Sequence, residues 1–294
     1  MTPAAWHAYF RQRPGCGSAT REPGSAVLGL ISVVLAVASF LVMSATAQAA
    51  PVFSRIVVFG DSLSDTGNAG RFSNGRVWVE FLAARYGFAT EPSLMGGSNY
   101  AVGGARLDPN SGPSSLPAQV AAYLRANSPE PGTLYIIYGG GNDLLAAVGH
   151  PQAQSMVDTA VAALQGAVRD LAARGARDIL VPNLPDVGIT PAIRGQGRQA
   201  VEDAAQLTNR FNTRVEAILD TRTRDPSLRV RQLDVHALGE RVRSDPASLG
   251  FTNIAAPCNQ RSACEGYLFW DGVHPTTQAH QRLAEAALQA LALP

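Results

Sequence analysis

The chain has 294 residues and a formal net charge of +1, and its 24 basic residues are all arginines. This near-neutral balance gives no reason to expect nucleic acid or a strongly anionic protein as a partner. The length is enough for one α/β domain with a large core behind an N-terminal leader.

The first fifty residues have the pattern of a secretory signal peptide. Arginines at positions 11, 13 and 21 precede an uncharged apolar run over 26–43, and the small residues SATAQAA follow. That order of regions is typical of a cleaved export signal. We predict cleavage near Ala49 or Ala50, with residues 51–294 forming a single domain in the periplasm or outside the cell. The alternative is an uncleaved membrane anchor, because an apolar run of 18 residues can just span a bilayer.

Buried strands alternate with amphipathic helices along residues 51–294. The predicted strands are apolar and cover residues 55–60, 98–102, 133–140, 178–185 and 229–235. The predicted helices have a period near 3.6 and cover residues 76–86, 117–126, 152–174, 198–221 and 276–292. This alternation predicts a parallel sheet covered by helices on both faces. Reactive side chains should then gather at the carboxyl ends of the strands.

The first strand ends in the sequence FGDSLSDTGN, residues 59–68. Gly60 permits unusual backbone angles, and Ser62 lies where the chain turns. The Ser62 hydroxyl could act as a nucleophile if a base removed its proton. An ordinary turn and a phosphate-binding loop are the alternatives. Two carboxylates, Asp61 and Asp65, and the absence of lysine argue against phosphate.

Two glycine-rich turns follow later strands. NYAVGGAR contains Gly103 and Gly104, and either could present a backbone N–H to a bound oxygen. YGGGNDLL places Asn142 at a strand end, where its carboxamide could donate a hydrogen bond to a substrate. Tight turns without function are the alternative in both places, and Asp143 could instead cap the next turn.

The segment FWDGVHPTTQAH, residues 269–280, carries an acid–base pair. Asp271 and His274 are three positions apart, a spacing that puts both side chains on one side of a helical turn. A carboxylate there could hold the imidazole in one tautomer and leave Nε2 free to take a proton. Helix capping by Asp271 is the alternative, and Pro275 suits the first turn of the following helix.

Other histidines give less favoured arrangements. His280 could complete a metal site with Asp271 and His274, although we predict no metal. Asp234 could orient His236 just beyond the last strand. His150 has no carboxylate in such a compact arrangement.

A pair of cysteines lies in a polar, loop-like stretch. Cys258 and Cys264 are separated by five residues, while Cys16 falls in the predicted signal peptide. Disulfides persist in exported proteins, so we predict a small disulfide-closed ring. Two free thiols are the alternative.

The segments FGDSLSDTGN, NYAVGGA, GGGND and DGVH together resemble the four blocks of the GDSL esterases and lipases, also called SGNH hydrolases. They occur in that family's order from Phe59 to His274. The long first block is similar to that of bacterial phospholipases, hemolysins and acyltransferases and of plant lipases. The resemblance implies a three-layer α/β/α sandwich with a mostly parallel, five-stranded, flavodoxin-like sheet. The chain lacks the G-x-S-x-G elbow of the α/β-hydrolases.

The resemblance also implies roles for individual residues. Ser62 would be the nucleophile, His274 the general base and Asp271 the group that orients it. The backbone N–H groups of Ser62 and Gly104 and the Asn142 side chain would form the oxyanion hole, with Gly103 as the other candidate for the second donor.

The implied reaction is hydrolysis of a lipid, lysophospholipid or short-chain acyl ester through an acyl-enzyme. It needs no metal or organic cofactor, and lipid substrates imply transient contact with a membrane surface. An acyltransferase and a polysaccharide O-acetylesterase are alternatives that use the same site. A non-catalytic, flavodoxin-like binding module is the alternative from a different class.

Overall fold

A computed structural model describes residues 53–220, 227–259 and 264–292. The predicted signal peptide and the domain boundary at residue 50 lie outside the described residues. None of the helices in those three ranges is both long enough and apolar enough to cross a membrane.

Four parallel strands form the central sheet. They are β1 (Arg55–Gly60), β2 (Thr133–Tyr138), β3 (Asp178–Pro182) and β4 (Arg229–Leu233), hydrogen-bonded in that order. All six residues of β2 and all five of β3 are buried. Their apolar, β-branched composition therefore suits strands that are covered on both faces.

The strand predicted at residues 98–102 is present as an irregular edge segment. Residues 98–102 run parallel to β1, with one bridge between Val58 and Asn99. Tyr100 N donates to Val58 O at 2.7 Å, and Val102 N donates to Gly60 O at 3.1 Å. Including this segment, the spatial order is 2-1-3-4-5 in chain order, which is the flavodoxin-like arrangement. The Asn99 side chain donates to Ser64 O at 2.7 Å and to Thr66 Oγ1 at 3.0 Å, which ties this segment to the loop after β1.

Helices cover both faces of the sheet, so the predicted fold class is confirmed. One group comprises α1 (Trp78–Arg85), α7 (Val235–Ser244) and α8 (Thr277–Ala292), in which α1 and α7 each contact α8. The second group comprises α2 (Leu116–Ala126), α3 (Gly141–Ala147), α4 (Ala153–Ala173) and α6 (Arg198–Asp220). A short α5 (Pro191–Arg194) follows β3.

The five predicted helices correspond to α1, α2, α4, α6 and α8, each within two residues at both ends. The sequence patterns missed α3, α5 and α7. They also missed a small second sheet of two parallel strands, β5 (Asn253–Pro257) and β6 (Tyr267–Phe269). This second sheet matters for the site because the segment after β6 carries His274.

Candidate active site

The turn after β1 holds Ser62 at the carboxyl edge of the sheet. Gly60 ends the strand so close to β2 that a Cβ there would lie 2.5 Å from Tyr138 O, so only glycine fits. The backbone N–H groups of Ser64 and Asp65 then both donate to Asp61 O at 3.0 Å. These bonds close a tight turn in which Ser62 is 6% exposed.

Ser62, His274 and Asp271 form a hydrogen-bonded chain. His274 Nε2 lies 2.9 Å from Ser62 Oγ, and His274 Nδ1 lies 2.7 Å from Asp271 Oδ2. An ionised carboxylate can only accept, so Nδ1 carries the proton and Nε2 is left to accept the hydroxyl proton. The arrangement can therefore remove a proton from Ser62.

The loop around Asp271 differs from the helical turn that the spacing predicts. Asp271 Oδ1 accepts the backbone N–H groups of Val273 at 2.8 Å and His274 at 2.6 Å, which folds the loop back on the carboxylate. Helix α8 begins only at Thr277, and Pro275 pairs with Phe269 in an isolated bridge. The two side chains meet because of this side-chain-to-backbone turn rather than because of helical periodicity.

The two aspartates next to the site are in different electrostatic environments. Burial alone would raise the pKa of Asp271, but the hydrogen bonds from the His274 ring and from two backbone N–H groups outweigh it and lower that pKa. Asp271 therefore stays ionised. Burial raises the pKa of Asp61 to about 6, although the Leu63 N–H favours its charged form.

Gly103 and Gly104 differ in what their backbone N–H groups contact. Gly103 N donates to Asp65 Oδ2 at 2.8 Å, and a Cβ at Gly103 would overlap the Phe72 ring. Gly104 has a φ of +78°, and its N–H meets no acceptor in the described part of the chain. Of the two, only Gly104 has an N–H left for a substrate oxygen.

Asn142 lies in the first turn of α3. Its Nδ2 donates one hydrogen to Ala105 O at 3.0 Å, which orients the amide and leaves the second hydrogen available. Asp143 does not cap that helix: it accepts the backbone N–H groups of Leu107 at 2.9 Å and Asp108 at 3.0 Å. Asp143 thus ties the loop after Gly104 to the helix that carries Asn142.

Asp65 is a site residue whose role the sequence reasoning did not recognise. It is fully buried, and its two oxygens accept backbone N–H groups from Gly67, Asn68, Ala69 and Gly103 at 2.7 to 3.0 Å. The signal was present in the long first block, where Asp65 follows Ser62 by three positions. Asp65 links the turn that holds Ser62 directly to the Gly103–Gly104 turn.

The remaining candidates lie apart from this chain of hydrogen bonds. Asp234 caps α7 through Ala237 N at 2.9 Å. His280 is fully buried in α8, and burial lowers its pKa to about 3. Among the three described ranges, no group of three His, Cys, Asp or Glu side chains could hold a metal ion. Cys258 and Cys264 are joined in a disulfide, with their Cα atoms 5.5 Å apart.

A cavity opens beside the hydrogen-bonded chain. Its volume is about 150 Å³, and Ser62, Asn142 and His274 line it together with many apolar side chains. The Phe72 ring packs beside the His274 ring, with 5.2 Å between the centroids.

Comparisons with known proteins agree on one family. The model described as GDSL-like lipase/acylhydrolase matches residues 56–287. The chain is 29% identical to phosphatidylcholine-sterol acyltransferase from Aeromonas hydrophila, over 82% of this chain and 92% of that protein. It is 28% identical to thermolabile hemolysin from Vibrio parahaemolyticus, over 80% of this chain and 63% of that protein. It is 30% identical to esterase EstA from Pseudomonas aeruginosa, over 86% of this chain but only 49% of that protein.

Solved structures share the fold at low identity. A catalytic mutant of Axe2, an acetylxylan esterase from Geobacillus stearothermophilus, superposes with a TM-score of 0.51 at 16% identity. The match covers 82% of this chain and 94% of that structure. At this identity the likeness concerns the fold alone.

Proposed function

The chain belongs to the GDSL-like lipase/acylhydrolase family and is a carboxylic ester hydrolase, and from this premise we propose that it is exported and cleaves acyl esters through an acyl-enzyme on Ser62. The observation that supports this most strongly is the 2.9 Å contact between Ser62 Oγ and His274 Nε2. A serine hydroxyl is a poor nucleophile by itself, and an adjacent base activates it.

In the first step Ser62 Oγ attacks the ester carbonyl carbon while its proton moves to His274 Nε2. The C–O bond to the alcohol then breaks, and His274 returns the proton to the departing oxygen. In the second step water attacks the acyl carbon and gives a proton to His274. The bond from that carbon to Ser62 Oγ then breaks, His274 returns the proton to Ser62 Oγ, and the carboxylic acid leaves. Asp271 remains ionised throughout and stabilises the charged imidazolium that forms twice in the cycle.

The oxyanion of each tetrahedral intermediate needs donors that are already in place. We assign the backbone N–H groups of Ser62 and Gly104 and the free amide hydrogen of Asn142. Neither N–H has an acceptor in the described residues. Donors that are held by the protein beforehand need no reorganisation at the moment of reaction, which is why they lower the barrier.

A direct test is hydrolysis of a chromogenic ester by the purified protein, followed by treatment with a serine-directed fluorophosphonate. We expect activity that the reagent abolishes, with the label on a single serine. A binding module would show neither the hydrolysis nor the stoichiometric labelling.

Replacing Asn142 with alanine should lower kcat by about 10²–10³-fold and change KM little, because the lost hydrogen bond forms mainly in the transition state. Steady-state kinetics on one ester would measure the split. Asn127→Ala is the control, since its amide bonds Tyr123 O at the end of α2. A rise in KM at constant kcat would instead indicate that Asn142 only binds substrate.

Acyl transfer to an alcohol is the second candidate function. It is favoured by the match to the Aeromonas acyltransferase, which extends over 92% of that protein. Both reactions share the acyl-enzyme and differ only in whether water or an alcohol attacks it. Product analysis with a competing sterol or long-chain alcohol would separate them: transfer would yield a new ester, and hydrolysis only free acid.

Export is supported by the signal-like first fifty residues and by the Cys258–Cys264 disulfide, since disulfides are rare in reducing compartments. Expression in a bacterial host, followed by N-terminal sequencing of the released protein, would test it. A mature N-terminus at residue 50 or 51 supports export with cleavage, whereas an intact leader on membrane-bound protein supports the anchor.

A further inference from the structure

The cavity beside Ser62 is apolar to an extent that acetyl esters do not require. Its walls come from α3, the loop after β3, α7 and α8, and most of them are aliphatic or aromatic. The charged side chains in its lining make hydrogen bonds within the protein, and Asp61 Oδ1 accepts the Leu63 N–H at 3.0 Å. Asp186 Oδ1 accepts the Gly188 N–H at 2.8 Å, and the Arg282 guanidinium donates to Leu249 O at 3.1 Å. The interior therefore offers little to a polar or charged substrate group.

Helix α7 presents one face to this cavity. Val235, Leu238, Gly239 and Val242 all line it, at the spacing that places side chains on a single side of a helix. Gly239 stands in the middle of that face and has a negative φ, so the backbone does not require glycine there. Glycine disfavours a helix relative to alanine.

Steric crowding does not explain why position 239 is a glycine either. A Cβ at this position would lie 3.4 Å from Pro185 Cβ, which is ordinary van der Waals contact. The glycine thus weakens the helix without relieving a clash. What it provides is open volume between α7 and Pro185, in the wall of the cavity that contains Ser62.

We propose that this cavity binds a medium-length aliphatic acyl chain of about six to eight carbons, and that Gly239 makes room for it. The inference rests on the proposed acyl-enzyme mechanism and adds the substrate class to it. The cavity has a volume of about 150 Å³, and an engineered apolar cavity of that size in another protein binds benzene, a six-carbon molecule. An acetyl group would leave most of the cavity empty.

The acyl side of the ester is the part assigned to the cavity. The acyl group stays attached to Ser62 through both steps, so an apolar pocket can hold it until hydrolysis. The alcohol must leave after the first step, and a pocket that held it would slow its release. Each methylene that enters the cavity should raise kcat/KM about fourfold until the space is filled.

The test compares p-nitrophenyl esters from acetyl to palmitoyl on the purified protein, together with methyl octanoate and octyl acetate. We expect kcat/KM to peak between hexanoyl and octanoyl, at least about 250-fold above acetyl, because hexanoyl adds four methylenes at about fourfold each. We also expect methyl octanoate to be preferred over octyl acetate. A maximum at acetyl, or a preference for octyl acetate, would overturn the assignment. If no ester is hydrolysed and no serine is labelled, the proposed function itself fails.

Variants of Gly239 test separately whether this glycine makes room for the acyl chain. Gly239→Leu should lower the octanoyl-to-acetyl ratio of kcat/KM about tenfold or more, and Gly239→Ala should lower it less. Alanine favours a helix, so Gly239→Ala should not lower the melting temperature, and misfolding cannot account for a changed ratio. Gly166→Ala makes the same change in α4, away from the cavity, and should leave the ratio unchanged. An unaltered ratio in both Gly239 variants would remove Gly239 from specificity.

Discussion

Replacement of Ser62 by alanine is expected to abolish ester hydrolysis, with kcat falling on the order of 10⁶-fold. The variant keeps the oxyanion donors but has no oxygen to form the acyl-enzyme. Labelling by a serine-directed fluorophosphonate should disappear with the activity. Initial rates on a chromogenic medium-chain ester, together with mass spectrometry of the labelled protein, would measure both effects.

Ser64→Ala is the matched control because Ser64 lies in the same turn. Its hydroxyl accepts the buried Trp78 Nε1–H at 3.0 Å. Losing that acceptor should cost about 1–3 kcal/mol of folding stability, while activity and labelling remain. Labelling that persists in Ser62→Ala, or vanishes in Ser64→Ala, would contradict the assignment of the nucleophile.

The second large effect is expected from Asp271→Asn, with kcat falling about 10⁴-fold. Asp271 Oδ1 accepts two backbone N–H groups, so the asparagine oxygen should take that place. The amide nitrogen would then face His274 Nδ1 and donate to it. The imidazole would have to carry its proton on Nε2, where it would donate to Ser62 Oγ instead of accepting from it.

A pH profile of kcat for Asp271→Asn would measure this loss, and Asp234→Asn serves as control. Asp234 caps α7 and accepts the Asn183 amide, so its change should affect stability alone. Retention of more than a tenth of kcat in Asp271→Asn would mean that Asp271 does not set the tautomer.

Patterns within single segments predicted the parts of the fold that bury a continuous apolar face. The four regular strands and five of the helices are of this kind, and Gly60, Ser62 and Asn142 were placed correctly at strand ends. Helices α3 and α7 were missed because they follow strands directly. Helix α3 begins at Gly141 after two further glycines, and α7 has Gly239 in its middle. Tertiary contacts, not local propensity, determine such helices.

Features that depend on contacts between distant segments could not be predicted from the pattern of any single segment. The choice between Gly103 and Gly104 depends on a hydrogen bond from Gly103 to Asp65, 38 positions earlier. The Asp271–His274 contact was expected for the wrong reason, since a loop and not a helix brings the pair together. The cavity walls come from six separate stretches of chain, residues 61–63, 138–145, 184–190, 235–242, 251 and 268–283. The sequence of any one stretch does not indicate the volume of the cavity.

The separation of Ser62 from His274 along the chain has a consequence for when the enzyme can first work. His274 lies 212 positions after Ser62. A ribosome adds roughly 5–20 residues per second, so about 10–40 s pass between the appearance of the hydroxyl and that of the imidazole. Throughout that interval the nascent polypeptide has the proposed nucleophile without its proposed proton acceptor, so it cannot cleave an ester by this mechanism before residue 274 has been added.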